Sequence, residues 1–182
     1  EVGRVVYTQW LDVRGGIVAD VTVTKLADDR FVVISSDVTH RLIEPRVRRE
    51  TREDEFVAVT DITSASTLMS VQGPRSRELL ARLTDADLSN AAFPYLTAQH
   101  IHVGYAPVLA ARVTYVGELG WELHVPTDHA AGTYDLLLET GYDLGIRPVG
   151  LAAMAGLRLE KGFRDMGIDI DTTDTVLEAG LG

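Results

Sequence analysis

Two carboxylates stand inside strand-like sequence, where a charge needs a reason. In VTYVGELGWELHVP (113–126), Trp121, Leu123 and Val125 alternate onto one face after the turn, so Glu122 and His124 point the other way. Glu122 is therefore either on the wet face of a half-exposed sheet or on the wall of a cavity, and glutamate is rarely buried unpaired. Glu118, in the glycine-bracketed turn, reads as solvent-facing punctuation. In IVADVTVTKL (17–26), Ile17, Ala19, Val21 and Val23 share one side, while Asp20 lies on the other with Val18, Thr22 and Thr24. Aspartate is disfavoured within strands. Exposure beside threonines is one explanation and a working carboxylate the other; Val18 on the same face argues for partial burial.

A cation joins them. Leu151, Ala155 and Arg158 fall on one helical stripe of LAAMAGLRLEKG, so the arginine continues an apolar face. It can complement the helix dipole, or pair with a buried carboxylate or with the carboxylate of a ligand. Lys161 could serve either purpose. His100 and His102 share a strand face, but no carboxylate or further histidine stands at convincing metal-binding spacing, and both read as surface residues. No GxGxxG follows a strand, and there is no Walker loop or G-x-S-x-G elbow. The sequence has no cysteine, which excludes thiol nucleophiles, thiolate metal sites and disulfides.

Strands must hold the two carboxylates and a helix the arginine. VVYTQWLDV, IVADVTVTKL and RFVVISS predict a meander with turns at Arg14-Gly15-Gly16 and Ala27-Asp28-Asp29. Ser36 or Asp37 can cap a helix to about residue 50, with Pro45 kinking it or starting its second half. FVAVTDIT (56–63) and TLMSVQG (67–73) read as strands, and Pro74 opens the helix PRSRELLARLTD. QHIHVGY, PVLAARVTYV and GWELHVP alternate as strands; AAGTYDLLLETGYDLG and PVGLAAMAGLRLEKG are helical, the first stopping at Gly145. Mostly hairpin-connected strands with interspersed helices indicate an α+β fold with a largely antiparallel sheet.

Composition bounds the rest. At 182 residues, 46% hydrophobic and 24% charged, the chain has the size of one ordinary globular domain with a real core, or of one large domain with a subdomain. The formal net charge of -10 argues against general nucleic-acid binding. The basic run RLIEPRVRRETRED (41–54) is interleaved with acids and reads as a solvated helix face. No apolar run approaches bilayer length and no signal-peptide pattern opens the sequence, so no membrane partner is expected; a reducing cytoplasm fits the lack of cysteine. The sequence enters VVYTQWLDV at once from Glu1 and stops at LEAGLG, which reads as a piece cut from something longer.

Four ordered motifs carry a resemblance across essentially the whole chain: YTQWLDVRGGIVADVTVTKL (7–26), SVQGPRSRELL (70–80), TYVGELGWELHVP (114–126), and GLRLEKGFRDMGIDI with LEAGLG (156–182). They resemble the folate-binding aminomethyltransferases, the glycine-cleavage T-protein family. TYVGELGWELHVP and RLEKGFR look most like the branch fused behind a flavin amine oxidase in dimethylglycine and sarcosine dehydrogenases.

The resemblance implies a ferredoxin-like-type folate-binding domain, with residues 1–182 its central part and the family's opening segment and C-terminal barrel missing. It implies tetrahydrofolate as cofactor, with FAD in a neighbouring domain if the parent is a dehydrogenase. The expected partners are folate, an amine-derived one-carbon donor, and either a lipoyl carrier protein or a fused flavin domain. By residue, the resemblance places Asp20 near the folate atom that receives the one-carbon unit and Glu122 as the clamp on the pterin. Tyr115 lines the pocket, Arg158 reaches the substrate end, and Val21 and His124 are wall residues by adjacency. The free T-protein's Asp-Asp pair has Ala19 at its first position here. The implied activity is one-carbon transfer forming methylenetetrahydrofolate. A non-catalytic folate-binding or assembly module of the same fold, and a scaffold for a neighbouring oxidase, are the alternatives.

Overall fold

A computed structural model describes residues 1–181; Gly182, the last residue of the LEAGLG motif, lies outside the described residues. The backbone is α+β, with a three-stranded sheet in the order β1-β2-β3 and a four-stranded sheet in the order β4-β7-β6-β5. By contacts the chain divides into one compact unit built on Thr63–Phe163 with Gly3–Val5, and a second built on Val6–Ile62 with the segment from Arg164 onward.

The second unit contains the predicted meander. β1 (Val5–Leu11), β2 (Ile17–Ala27) and β3 (Arg30–Ser35) follow one another through short turns. Asp12 pins the first turn by accepting the N–H groups of Arg14 and Gly16 at 2.8 and 2.9 Å. β2 and β3 pair antiparallel, with Val23 opposite Val33. The C-terminal segment returns to this sheet: Ile17 donates its N–H to the Asp174 carbonyl at 3.0 Å, and Met166, Ile170 and Ala179 pack with Ile17 in a small core. The first and last motifs of the sequence are thereby joined.

Helix α1 (His40–Glu50) corrects the expected cap. It begins at His40 behind Thr39, so neither Ser36 nor Asp37 is its cap, and it runs on through Pro45. The proline gives up one hydrogen bond toward Arg41 without ending the helix. Arg48 pairs with Glu44 and Arg46 with Glu50, as expected of a solvated face of mixed charge. FVAVTDIT forms no strand: residues 56–62 have no ladder, and Phe56 and Ile62 are exposed. β-branched sequence becomes strand only where a partner edge and a packing face are available.

In the first unit, β4 (Ser66–Gln72), β5 (Ala98–Val103), β6 (Ala106–Ala111) and β7 (Gly120–Pro126) form a wholly antiparallel sheet. One face carries Met69, Val71, Ile101, Val108, Ala110, Trp121, Leu123 and Val125 into the main core. Helices α2 (Ser76–Ala81) and α3 (Ala130–Thr140) cover it with Leu79, Leu80 and Leu137. α3 stops at Gly141, short of the expected Gly145. The predicted strand through Val116 ends at Ala111, because Arg112 turns its N–H and C=O to Thr97 and Leu96, and residues 112–119 become a loop. α4 (Leu151–Glu160) does not bury the predicted stripe: Leu151 is 80% exposed, Ala155 is half-buried, and only Arg158 is buried. Among the described residues, no helix is long and apolar enough to cross a membrane.

Candidate functional site

Asp20 sits mid-strand on β2, half-buried as Val18 implied. Gln9 donates its Nε2 to Asp20 Oδ1 at 2.9 Å, and the Tyr7 hydroxyl makes a second hydrogen bond. Tyr7 and Gln9 are alternate residues of β1, so their side chains leave that strand on one face. Burial pushes the Asp20 carboxyl up; the bonds from Gln9 and Tyr7 pull it back, and the nearby Asp165 charge raises it further. Tyr7 and Gln9 were not legible as functional residues, because only cross-strand neighbourhood shows that they serve Asp20. Val21 is 2% exposed on the opposite face of β2, so it can offer a site on the Asp20 face only its backbone.

Glu122 and His124 lie on the face of the four-stranded sheet opposite the main core. Register places Ser70 of β4 and Ala111 of β6 on either side of Glu122, and Leu68 and Leu109 on either side of His124. The two smallest side chains in this arrangement flank the carboxylate. Burial alone raises the Glu122 carboxyl, and it likewise depresses the His124 imidazole. Among the described residues the Glu122 carboxylate has no hydrogen bond and no ion pair. A sheltered carboxylate without a donor is costly, and it fits a ligand that brings two donors of its own.

These shifts set a pH dependence. With its pKa raised, Glu122 favours folding most below the ordinary carboxylate range, and that contribution is lost as pH rises through the raised value. His124 behaves oppositely: its contribution is present above the ordinary imidazole value and is lost as pH falls through the depressed one. Glu122→Gln is therefore expected to melt above the unaltered protein at neutral pH, with the gap closing as pH is lowered to about 4. Melting curves across that range check it; a gap independent of pH would contradict the assignment.

Tyr115 sits in the loop after β6, not on the strand predicted for it, and its ring stacks on Phe163 with centroids 6.4 Å apart and planes 15° apart. Arg158 is 3% exposed, and its Nη1 donates to the Phe163 carbonyl at 2.9 Å. Lys161 lays its aliphatic stem beside Gly117 in the same loop. His100 and His102 share an exposed face of β5, and no cluster of metal-ligating side chains occurs among the described residues. The structure thus holds Glu122 and His124 on one strand face, brings Tyr115 together with the end of α4, and places Asp20 in the other unit.

The GCVT N-terminal domain family matches residues 1–182. The chain is 39% identical over 181 residues to 4-methylaminobutanoate oxidase (formaldehyde-forming) of Paenarthrobacter nicotinovorans, covering 100% of this chain and 22% of that protein. It is 32% identical over 182 residues to the mitochondrial dimethylglycine dehydrogenase of Homo sapiens, covering 100% of this chain and 21% of that protein. The solved structure of glycine cleavage system aminomethyltransferase T from Bartonella henselae superposes with a TM-score of 0.83 at 27% identity, covering 100% of this chain and 47% of that one. The chain therefore spans about half of the aminomethyltransferase and about a fifth of the oxidase and the dehydrogenase. As the four motifs implied, the chain belongs to the GCVT N-terminal domain family.

Proposed function

We propose that the chain is the tetrahydrofolate-binding part of a larger one-carbon-transferring enzyme, either T-protein-like or joined to an FAD-linked dimethylglycine or sarcosine dehydrogenase. Methylenetetrahydrofolate is its product. The observation that carries this reading is Glu122, a sheltered carboxylate on an ordered strand with no hydrogen bond among the described residues. A reduced pterin presents an amino group and a ring N–H side by side, and a carboxylate accepts both at once. Such a pair contributes about 2–3 kcal/mol when shielded from water.

When bound, tetrahydrofolate would supply the two nitrogens that take up the one-carbon unit, either from an iminium made by amine oxidation at a flavin, with release of the amine, or from an aminomethyl-lipoyl arm, with release of ammonia. Asp20 stabilises the cationic donor and relays a proton from the folate nitrogen to the departing amine during ring closure, with Gln9 and Tyr7 fixing its orientation. Tyr115 offers an aromatic wall, and His124, held neutral by burial, a wall without charge. Val21 contributes backbone beside Asp20, and Arg158 orders the segment at the substrate end.

The test is product identity. The complete protein, turned over with a methylated amine and tetrahydrofolate, is expected to yield methylenetetrahydrofolate in place of free formaldehyde. Formaldehyde released in equal amount with and without tetrahydrofolate would support a second reading, in which the chain only scaffolds a neighbouring oxidase. The relative named as formaldehyde-forming is the observation that favours that second reading.

A further inference from the structure

We infer that Phe163 is a positioning residue for Tyr115, and that the stacked pair, locked by the end of α4, sets how tightly folate is held; this rests on the folate-binding role proposed for Tyr115. Tyr115 lies in the loop between β6 and β7, where no strand ladder fixes its ring. The Phe163 ring lies against it, nearly parallel at 15° and offset, with centroids 6.4 Å apart. That separation is within the range over which aromatic pairs attract beyond simple burial.

Phe163 is itself fixed by the way α4 ends. Gly162 takes φ +70, its N–H bonds to the Leu159 carbonyl at 2.9 Å, and the Phe163 N–H bonds to the Arg158 carbonyl at 3.1 Å. This is the Schellman arrangement, which needs a left-handed residue at the glycine position and reverses the chain sharply. The buried Arg158 then donates Nη1 to the Phe163 carbonyl at 2.9 Å, so both polar groups of the Phe163 backbone are held by one residue. A second contact joins the same segments: Gly117, at φ +72, lies so close to the Lys161 stem that a Cβ there would strike it. RLEKGF is thus a cap whose last side chain is aimed at the loop carrying Tyr115. Arg158 acts through this cap, whatever further contact it makes.

Phe163→Leu keeps apolar volume and removes the ring; Phe163→Tyr keeps the ring. In the complete protein, Phe163→Leu is expected to raise the Kd for tetrahydrofolate by about 3- to 10-fold while the melting temperature holds, and Phe163→Tyr to restore affinity to within about twofold. Glu122→Gln is measured in parallel. If Glu122→Gln weakens binding and Phe163→Leu does not, the positioning role is wrong while the folate reading stands. If neither variant changes affinity, the folate reading itself fails. If both Phe163 variants lose affinity in proportion to lost thermal stability, Phe163 is merely structural and the inference is overturned.

Discussion

Glu122→Gln is expected to weaken tetrahydrofolate binding to the complete protein by about 30- to 150-fold, the equivalent of about 2–3 kcal/mol. The carboxylate offers two acceptor oxygens to two parallel donors. The amide keeps one oxygen and sets an NH2 group against the other donor, so one bond is lost and a repulsive contact replaces it. The same change relieves the desolvation that raises the Glu122 pKa, so the variant should be more stable at neutral pH while binding worse. Loss of affinity together with gain in melting temperature separates a ligand-holding carboxylate from a structural one. Titration calorimetry of the two proteins reads the affinity; a variant that binds as well as its parent would remove Glu122 from the site.

Asp20→Asn is expected to lower the folate-coupled rate by about 100-fold or more, with affinity changed severalfold at most, because proton handling by a placed side chain is worth about 100- to 10,000-fold. Asparagine keeps an oxygen for the Gln9 donor, so the β1–β2 contact survives and only the charge is removed. The unaltered protein should lose rate as pH falls through the Asp20 pKa, which burial sets above the ordinary aspartate value, and Asp20→Asn should lack that acid limb. Methylenetetrahydrofolate formation across pH checks both. An unchanged rate accompanied by impaired assembly of the complete protein would favour the non-catalytic folate-binding module over the enzyme.

The facing of the carboxylates was legible because strand alternation is local. Asp20 opposite Ile17, Ala19 and Val21, and Glu122 opposite Trp121, Leu123 and Val125, follow from a period of two, and the buried Ala19 and Trp121 agree. The meander was legible for the same reason, with turn residues marking its ends. Contacts between distant segments were not. The service of Gln9 to Asp20 depends on which strand lies beside β2, and the smallness of Ser70 and Ala111 around Glu122 depends on register across three strands. Residues 107–116 read as one strand, but Arg112 turns toward Leu96 and Thr97, and Tyr115 falls in a loop. The α4 stripe misled because periodicity records amphipathic sequence and not what covers it. Only Arg158 of that stripe is buried.

Folate binding as proposed requires two oxygens of one side chain to meet two donors of one pterin. A crystal structure of the complete protein with bound tetrahydrofolate is the direct measurement. It is predicted to show both Glu122 carboxylate oxygens at about 2.7–2.9 Å from the pterin amino group and its neighbouring ring N–H. A pterin whose amino group rests on another acceptor, with Glu122 left to solvent, would contradict it.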